Sequence, residues 1–332
     1  MFKELNERNI LPLHQAGFRP HRNTMYNIIR LERYAREQLQ KRQHSAVIFF
    51  DIKAAFDTVW FDGIIYKLFD LRLPDYLICY IISFLDNRTA SIEIENILSK
   101  LILLKSGTSQ GSPLSPLLYI IYTSDSMKSI HQHTEYGLFA DDTALWTTSN
   151  TITNLNYRLQ SSINEFQKWC KIEVEDIIIK PTSSARYLGV IFDHKLDWRT
   201  QVKHVETKVA SRISLLRFLS KLNPNANLNT MLTLYKSLVR SVISYGSIIL
   251  LTAKENIWKR LQTIQNKALK ATLGFPIYTS TKYVHSVSNI QEIKAYSTTL
   301  LEQSITRARI YDDKITENNL LKIQLHIERS DI

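Results

Sequence analysis

From Ile28 to Gln43 the apolar residues Ile28, Leu31, Tyr34, Ala35 and Leu39 recur at three- and four-residue intervals with charges between them. That spacing predicts an amphipathic helix starting near Thr24. The unbroken apolar run Ala46-Val47-Ile48-Phe49-Phe50 ends at Asp51 and reads as a strand buried on both faces with an acid at its C-terminal end. A helix is expected next, with Phe56, Val59, Trp60, Ile64 and Leu68 stacked on one side. Residues 91–105 alternate weakly, then meet Gly107, Gly111, Pro113 and Pro116, so strands are expected to enter a tight loop before a helix over Leu117 to Tyr122. Tyr136 to Thr147 is apolar on both sides of Asp141-Asp142, the pattern of a hairpin with two acids at its turn. A second hairpin is expected across residues 172–179, followed by a strand from Tyr187 to Phe192.

Beyond Trp198 the pattern becomes helical. Val202, Val205, Val209, Ile213, Leu216 and Leu219 form an apolar stripe, with Arg199, Lys203, Lys208 and Arg212 on the other faces. Met231 to Leu251 is apolar nearly all round and predicts one buried helix, and Ile257, Leu261 and Ile264 mark another. After about Ser304 no clear period remains, and the end of the tail is expected to be disordered.

Charge divides the chain in the same place. The sequence has 332 residues and a net charge of +11, long enough for two or three cores. Residues 1–182 carry 20 Lys/Arg against 20 Asp/Glu, whereas residues 183–332 carry 22 against 11. Residues 195–282 alone hold 15 basic against 3 acidic side chains, which is where a polyanion would be gripped. The two cysteines, Cys79 and Cys170, are far apart and make neither a disulfide framework nor a structural zinc site. With no bilayer-length apolar run, a soluble protein of the nucleus or cytoplasm is expected.

Candidate chemistry lies in three acids at the ends of apolar segments, Asp51, Asp141 and Asp142. Hard oxygen ligands of this kind suit Mg²⁺, which takes a few carboxylates together with waters and substrate phosphates. Two such ions can clamp the attacking and leaving oxygens of a phosphoryl displacement. Taken singly, an Asp after a strand or a pair of acids in a turn is usually a solvated surface feature.

The neighbours of these acids change that weighting. Gln15-Ala16-Gly17-Phe18-Arg19, Phe50-Asp51-Ile52-Lys53-Ala54-Ala55-Phe56-Asp57, Ser109-Gln110-Gly111-Ser112-Pro113-Leu114-Ser115-Pro116, Phe139-Ala140-Asp141-Asp142 and Tyr187-Leu188-Gly189-Val190 stand in that order. Together they resemble the successive motifs of reverse transcriptases of non-LTR (LINE-type) retrotransposons, over roughly residues 5 to 275. The resemblance implies an α+β right-hand polymerase: a remnant of the fingers (1–45), a palm (46–194), a helical thumb (195–280) and a helical tail (281–332). It also implies RNA-templated DNA synthesis with two Mg²⁺ ions, Mn²⁺ being an acceptable substitute, on an RNA template and DNA primer from deoxynucleoside triphosphates. Asp51, Asp141 and Asp142 would be the catalytic, metal-holding acids. Phe56 would be the steric gate against a 2′-hydroxyl, and Gln110 and Gly111 would lie against nucleotide and template, the glycine allowing close backbone approach. Tyr187, Leu188 and Gly189 would be the primer grip, and Arg199, Lys203, Lys208 and Arg212 would bind nucleic acid through the thumb.

Two departures from the family pattern lead to the expectation of impaired activity. The chain opens almost at Gln15, without the earlier finger segment whose lysine and arginine hold the triphosphate; Arg19 and Arg22 are the cations left to bind nucleic acid there. The lysine-bearing strand that relatives place after the position of Lys168-Trp169-Cys170 has no counterpart unless Lys171 or Lys180 replaces it. The second reading is a non-catalytic nucleic-acid- or partner-binding protein derived from the same fold. A viral RNA-templated RNA polymerase would share the acids, but Phe56 argues against an enzyme that must admit the 2′-hydroxyl.

Overall fold

The computed structural model describes residues 2–170, 181–223 and 225–330. The chain divides into two compact units, Met1–Asn27 with Glu37–Ile178, and Ile28–Arg36 with Ile179–Ile332.

The first unit is mixed α and β. Helices α1 (Phe2–Glu7) and α2 (Thr24–Gln40) precede strand β1 (His44–Phe50). α2 starts where expected because the Asn23 side chain accepts the backbone N–H of Met25, satisfying one of the orphan donors of its first turn. Only its ends belong to this unit. After β1 come α3 (Phe61–Asp70), α4 (Asp75–Leu85) and four two-residue strands, β2 (Thr89–Ala90), β3 (Glu93–Ile94), β4 (Ile97–Leu98) and β5 (Ile102–Leu103). The unit closes with α5 (Leu114–Tyr122), β6 (Thr134–Phe139), β7 (Asp142–Ser149) and α6 (Ile152–Cys170).

β7 is the central strand of an antiparallel sheet of order β1-β7-β6. Its residues Thr143–Thr147 are all buried, whereas every residue of β1 keeps at least partial exposure. The expectation of a doubly buried β1 is therefore corrected. An uninterrupted apolar run does not reveal whether a strand has neighbours on both sides, and among the described residues β1 pairs only with β7. One core packs Leu138, Leu145 and Phe166 with Ile48 and Phe50, joining the sheet to α6. A second gathers Ile64, Leu68, Ile78, Ile81 and Leu118 from α3, α4 and α5. The helix expected over Phe56 to Leu68 begins only at Phe61; Phe56, Val59 and Trp60 precede it, and Trp60 is exposed. The hairpin expected at residues 172–179 lies outside the described residues.

In the second unit, β8 (Ser184–Tyr187) and β9 (Val190–Asp193) form a two-stranded hairpin, where the sequence reading placed one strand from Tyr187 to Phe192. Leu188 (φ 45°) and Gly189 (φ 84°) are its turn, both left-handed as a type I′ connection requires. Helices α7 (Arg199–Leu222), α8 (Leu228–Tyr235), α9 (Ser241–Ser244), α10 (Ser247–Leu250) and α11 (Glu255–Thr272) follow, then α12 (Thr281–Ser288), α13 (Ile293–Ile310) and α14 (Lys314–Ser330). The tail is helical to Ser330, with Leu301, Ile305, Leu320 and Ile323 buried, and residues 331–332 at its end lie outside the described residues.

The single helix expected over Met231 to Leu251 is broken twice. Lys236–Arg240 is a π-helical turn, and the chain bends at Tyr245 and Gly246 (φ 73°) before α10. A π turn leaves a carbonyl without its ordinary i+4 donor. Here the Arg212 guanidinium donates to the Leu238 carbonyl at 2.7 Å.

Candidate active site and nucleic-acid interface

Antiparallel register brings the three acids together. Phe50 lies opposite Thr143, and Phe139 opposite Asp142. Asp51 therefore leaves β1 at the end of the sheet where Asp142 begins β7, and Asp141 occupies the two-residue turn between β6 and β7. The Asp142 carboxyl is raised above the ordinary carboxylate range, first by loss of hydration, then by the charges of Asp141 and Asp51. The strand register thus returns about ninety residues of intervening chain to one end of the sheet.

Among the described residues, no three His, Cys, Asp or Glu side chains form a ready-made metal cage. The donor set still suits a divalent cation. Mg²⁺ needs only one or two carboxylates when substrate phosphates and water complete its shell. A cation here would offset the repulsion that holds Asp142 toward its protonated form.

Beside the acids, residues 53–58 follow β1 as a series of tight turns. Phe56 is half-buried: its ring lies 4.7 Å from Tyr119 of α5 and 6.0 Å, edge-on, from Phe18. Tyr119 is buried, and its hydroxyl is pushed far above its ordinary value by burial first and by the Asp141 charge second. Phe56 and Asp141 thus flank the same tyrosine.

The loop before α5 is laced to this segment. Gly107 N–H donates to Val59 O (2.8 Å), Thr108 N–H to Phe56 O (2.8 Å) and Ser106 Oγ to Asp57 O (3.1 Å), while Arg88 donates to the Gly107 carbonyl. A Cβ on Gly107 would stand 2.8 Å from Asp57 O, and its φ of +86° disfavours any other residue independently. Gln110 is exposed and held by Nε2 donation to Asp57 Oδ1 at 3.2 Å. Gly111 has φ +88° with nothing within 4 Å of a Cβ, so within the chain itself its glycine serves conformation, not close packing.

The Gln15-Ala16-Gly17 segment runs beside β6. Ala16 N–H donates to Leu138 O (2.8 Å), Leu138 N–H to His14 O (3.1 Å), and Gln15 makes a parallel bridge to Leu138. Arg19 and Arg22 have donors engaged inside the fold: Arg19 with Pro12 O (3.1 Å) and Asn6 Oδ1 (2.6 Å), Arg22 with the carbonyls of Leu13 and Gln15 and over the Tyr26 ring. The sequence reading quoted Gln15, Gly17, Asp57 and Gly107 without giving them a role of their own, and did not single out Tyr119. The glycines were visible signals, but only the fold shows which backbone each approaches.

The remaining predicted residues belong to the second unit. Tyr187 is buried in β8, and the Leu188 carbonyl accepts the Tyr245 hydroxyl at 2.5 Å. Gly189 is one wall of a recess of about 210 Å³ that His204, Lys208 and Tyr245 also line. Arg199, Lys203 and Lys208 are exposed on α7. Arg212 is half-buried against the π turn, one guanidinium nitrogen donating to the Leu238 carbonyl.

A sheet end carrying three acids, flanked by an aromatic pair and a glycine-tied loop, defines a polymerase palm. Residues 1–192 match the reverse transcriptase (RNA-dependent DNA polymerase) family, and the chain belongs to it. Within that family it groups with the polymerases of non-LTR retrotransposons. The probable RNA-directed DNA polymerase from transposon BS of Drosophila melanogaster is 26% identical across 95% of this chain and 38% of its own length. The RNA-directed DNA polymerase from mobile element jockey of the same species is 23% identical across 92% of this chain and 37% of its own. The chain therefore spans less than two-fifths of these relatives. Telomerase from Candida albicans, solved with a fragment of telomeric RNA, is 12% identical at a TM-score of 0.43, across 95% of this chain and 55% of that one, a likeness too loose to carry an argument. No described helix is long and apolar enough to cross a membrane.

Proposed function

We propose that this chain carries the palm and thumb of a non-LTR reverse transcriptase and that Asp51, Asp141 and Asp142 are its catalytic acids. The supporting observation is their convergence at one sheet end, with Asp142 raised in part by the other two charges. The acids would hold two Mg²⁺ ions, or Mn²⁺, which when bound activate the primer 3′-hydroxyl and neutralise the departing pyrophosphate. The hydroxyl oxygen forms the new bond to the α-phosphorus as the bond to pyrophosphate breaks.

The Phe56 ring, braced by Tyr119 and Phe18, would exclude a 2′-hydroxyl and so select deoxynucleotides. Gln110 and Gly111, in the loop before α5, would lie along nucleotide and template. In the second unit the Tyr187-Leu188-Gly189 turn would meet the primer, and Arg199, Lys203 and Lys208 would contact phosphates without reading bases. The donors of Arg19 and Arg22 are taken up inside the fold, so these residues are poor stand-ins for triphosphate-binding cations. Slow extension by the chain alone is the expected result.

The test is extension of a DNA primer on an RNA template with Mg²⁺ or Mn²⁺. Asp142→Asn should lower the rate on the order of a thousandfold, the scale set by removing one transition-state electrostatic partner, while template–primer binding persists. Extension unchanged by Asp142→Asn and Asp51→Asn would overturn the assignment. Tight binding with no extension by the unaltered chain would favour the non-catalytic reading, which the 15-to-3 excess of basic residues in 195–282 also supports.

A further inference from the structure

The segment Gln15-Ala16-Gly17 carries no role in the reaction above, yet it is the part of the first unit most closely applied to the acidic turn. Gln15 is fully buried, and its Oε1 accepts two backbone N–H groups, Gly17 at 2.9 Å and Ala140 at 3.1 Å. Ala140 immediately precedes Asp141. A Cβ on Gly17 would come within 2.3 Å of Ala140 N, so only a glycine lets the two backbones approach this closely.

Ala140 has φ +58°, a left-handed conformation that disfavours residues with a Cβ. At the first central position of a two-residue hairpin turn, glycine is the usual occupant. Something outside the hairpin must hold an alanine there, and the Gln15 carbonyl bound to its N–H does so. Packing alone does not account for a glutamine at this position. Its Nε2 is buried without a hydrogen-bond partner, a cost that an apolar side chain of the same shape would avoid.

We propose that Gln15 is a positioning residue: its side-chain carbonyl pins the strained Ala140 turn and thereby sets Asp141 and Asp142 in the geometry that receives a divalent cation. The metal-binding part rests on the reading of those acids given above; the pinning of the turn does not.

The experiment uses the full chain, with residue-resolved amide hydrogen exchange and Mn²⁺ titration. In the unaltered protein the Ala140 amide should exchange slowly although it sits in a turn; exchange at an unprotected rate would overturn the proposal without any variant. Gln15→Met keeps the length and bulk of the side chain and removes the acceptor. It should speed exchange across residues 139–142 by about tenfold or more, leave α7 and α11 unchanged, and weaken Mn²⁺ binding severalfold.

Adding Ala140→Gly to Gln15→Met should restore much of the Mn²⁺ affinity by relieving the left-handed strain. A space-filling Gln15 would gain nothing from the loss of another methyl group. Should Gln15→Met fail to fold, recovery of a folded, Mn²⁺-binding chain by the double variant supports the proposal, and failure of both variants to fold counts against it. Mn²⁺ affinity in Gln15→Met equal to that of the unaltered chain would refute the positioning role. Asp142→Asn separates the two claims: if it leaves Mn²⁺ binding intact, the acids are not the metal site, while the exchange data still decide whether Gln15 holds the turn.

Discussion

In the first unit, Asp51, Phe56, Gly107 and Asp141 sit on segments tied by backbone hydrogen bonds at close range, with glycines where two backbones meet. In the second, Arg199, Lys203 and Lys208 stand exposed on α7, Arg199 with an ion pair to Asp197 just ahead of the helix. One region spends its interactions on geometry and is nearly neutral, with 20 basic and 20 acidic residues in 1–182; the other spends its composition on field. The two kinds of site should therefore fail differently. Small steric changes should disable the first, and only changes of charge should affect the second.

The sharpest way to break this contrast is Gly17→Ala. A methyl group 2.3 Å from Ala140 N must displace backbone, and the overpacking should cost about 3 kcal/mol, read as a fall in the denaturation midpoint. An equally small insertion on the exposed face of α7, Ser211→Thr, should change stability by less than about 0.5 kcal/mol. Similar losses at both places would show that the distinction is false.

Next in size is the double charge reversal Lys203→Glu with Lys208→Glu. It should weaken binding to any template–primer by about tenfold near physiological salt, and should lower the slope of log K against log salt by about 2. Arg212→Gln sharpens this test, because Arg212 supports the π turn: it should lower stability while leaving the salt slope nearly unchanged. A change of about 1 in slope would return Arg212 to the nucleic-acid interface.

The smallest effect concerns pH. Asp142 is raised in the folded chain, so folding favours its protonated form. That contribution is fully present below the ordinary carboxylate value of 3.8 and is lost as pH rises through the raised value. Asp142→Asn should accordingly raise the melting temperature at pH 7, on the order of 1 °C for a solvent-screened group, and the gain should vanish below pH 3.8. A variant less stable than the parent at pH 7 would mean that the acid is held by a partner, not repelled by its neighbours.

Much of the site was legible before any coordinates, because its signals are local. Asp51 after an apolar run, Asp141-Asp142 inside a hairpin pattern and Phe56 five residues after Asp51 are all patterns of a few neighbouring residues. The amphipathic spacing of α2 and α7 was equally plain. What the one-dimensional pattern could not hold is anything set by pairing across the chain. β1 reads as doubly buried, yet every residue of it keeps some exposure and among the described residues it has β7 as its one neighbour, since apolar runs do not report how many neighbours a strand has. Met231 to Leu251 reads as one helix but is broken by a π turn and by Gly246, features that depend on what packs against it. Arg19, Arg22 and Arg212 read as cations for a ligand, and tertiary carbonyls claimed them. By itself the sequence determined which residues are the candidates for the chemistry and where the charge lies, because both follow from side-chain identity and short-range order. Tertiary structure alone decided which distant backbones touch, and so why Gly17 and Gly107 must be glycines and why Gln15 is buried beside the acids: each depends on contacts from 48 to 125 residues apart that no local pattern encodes.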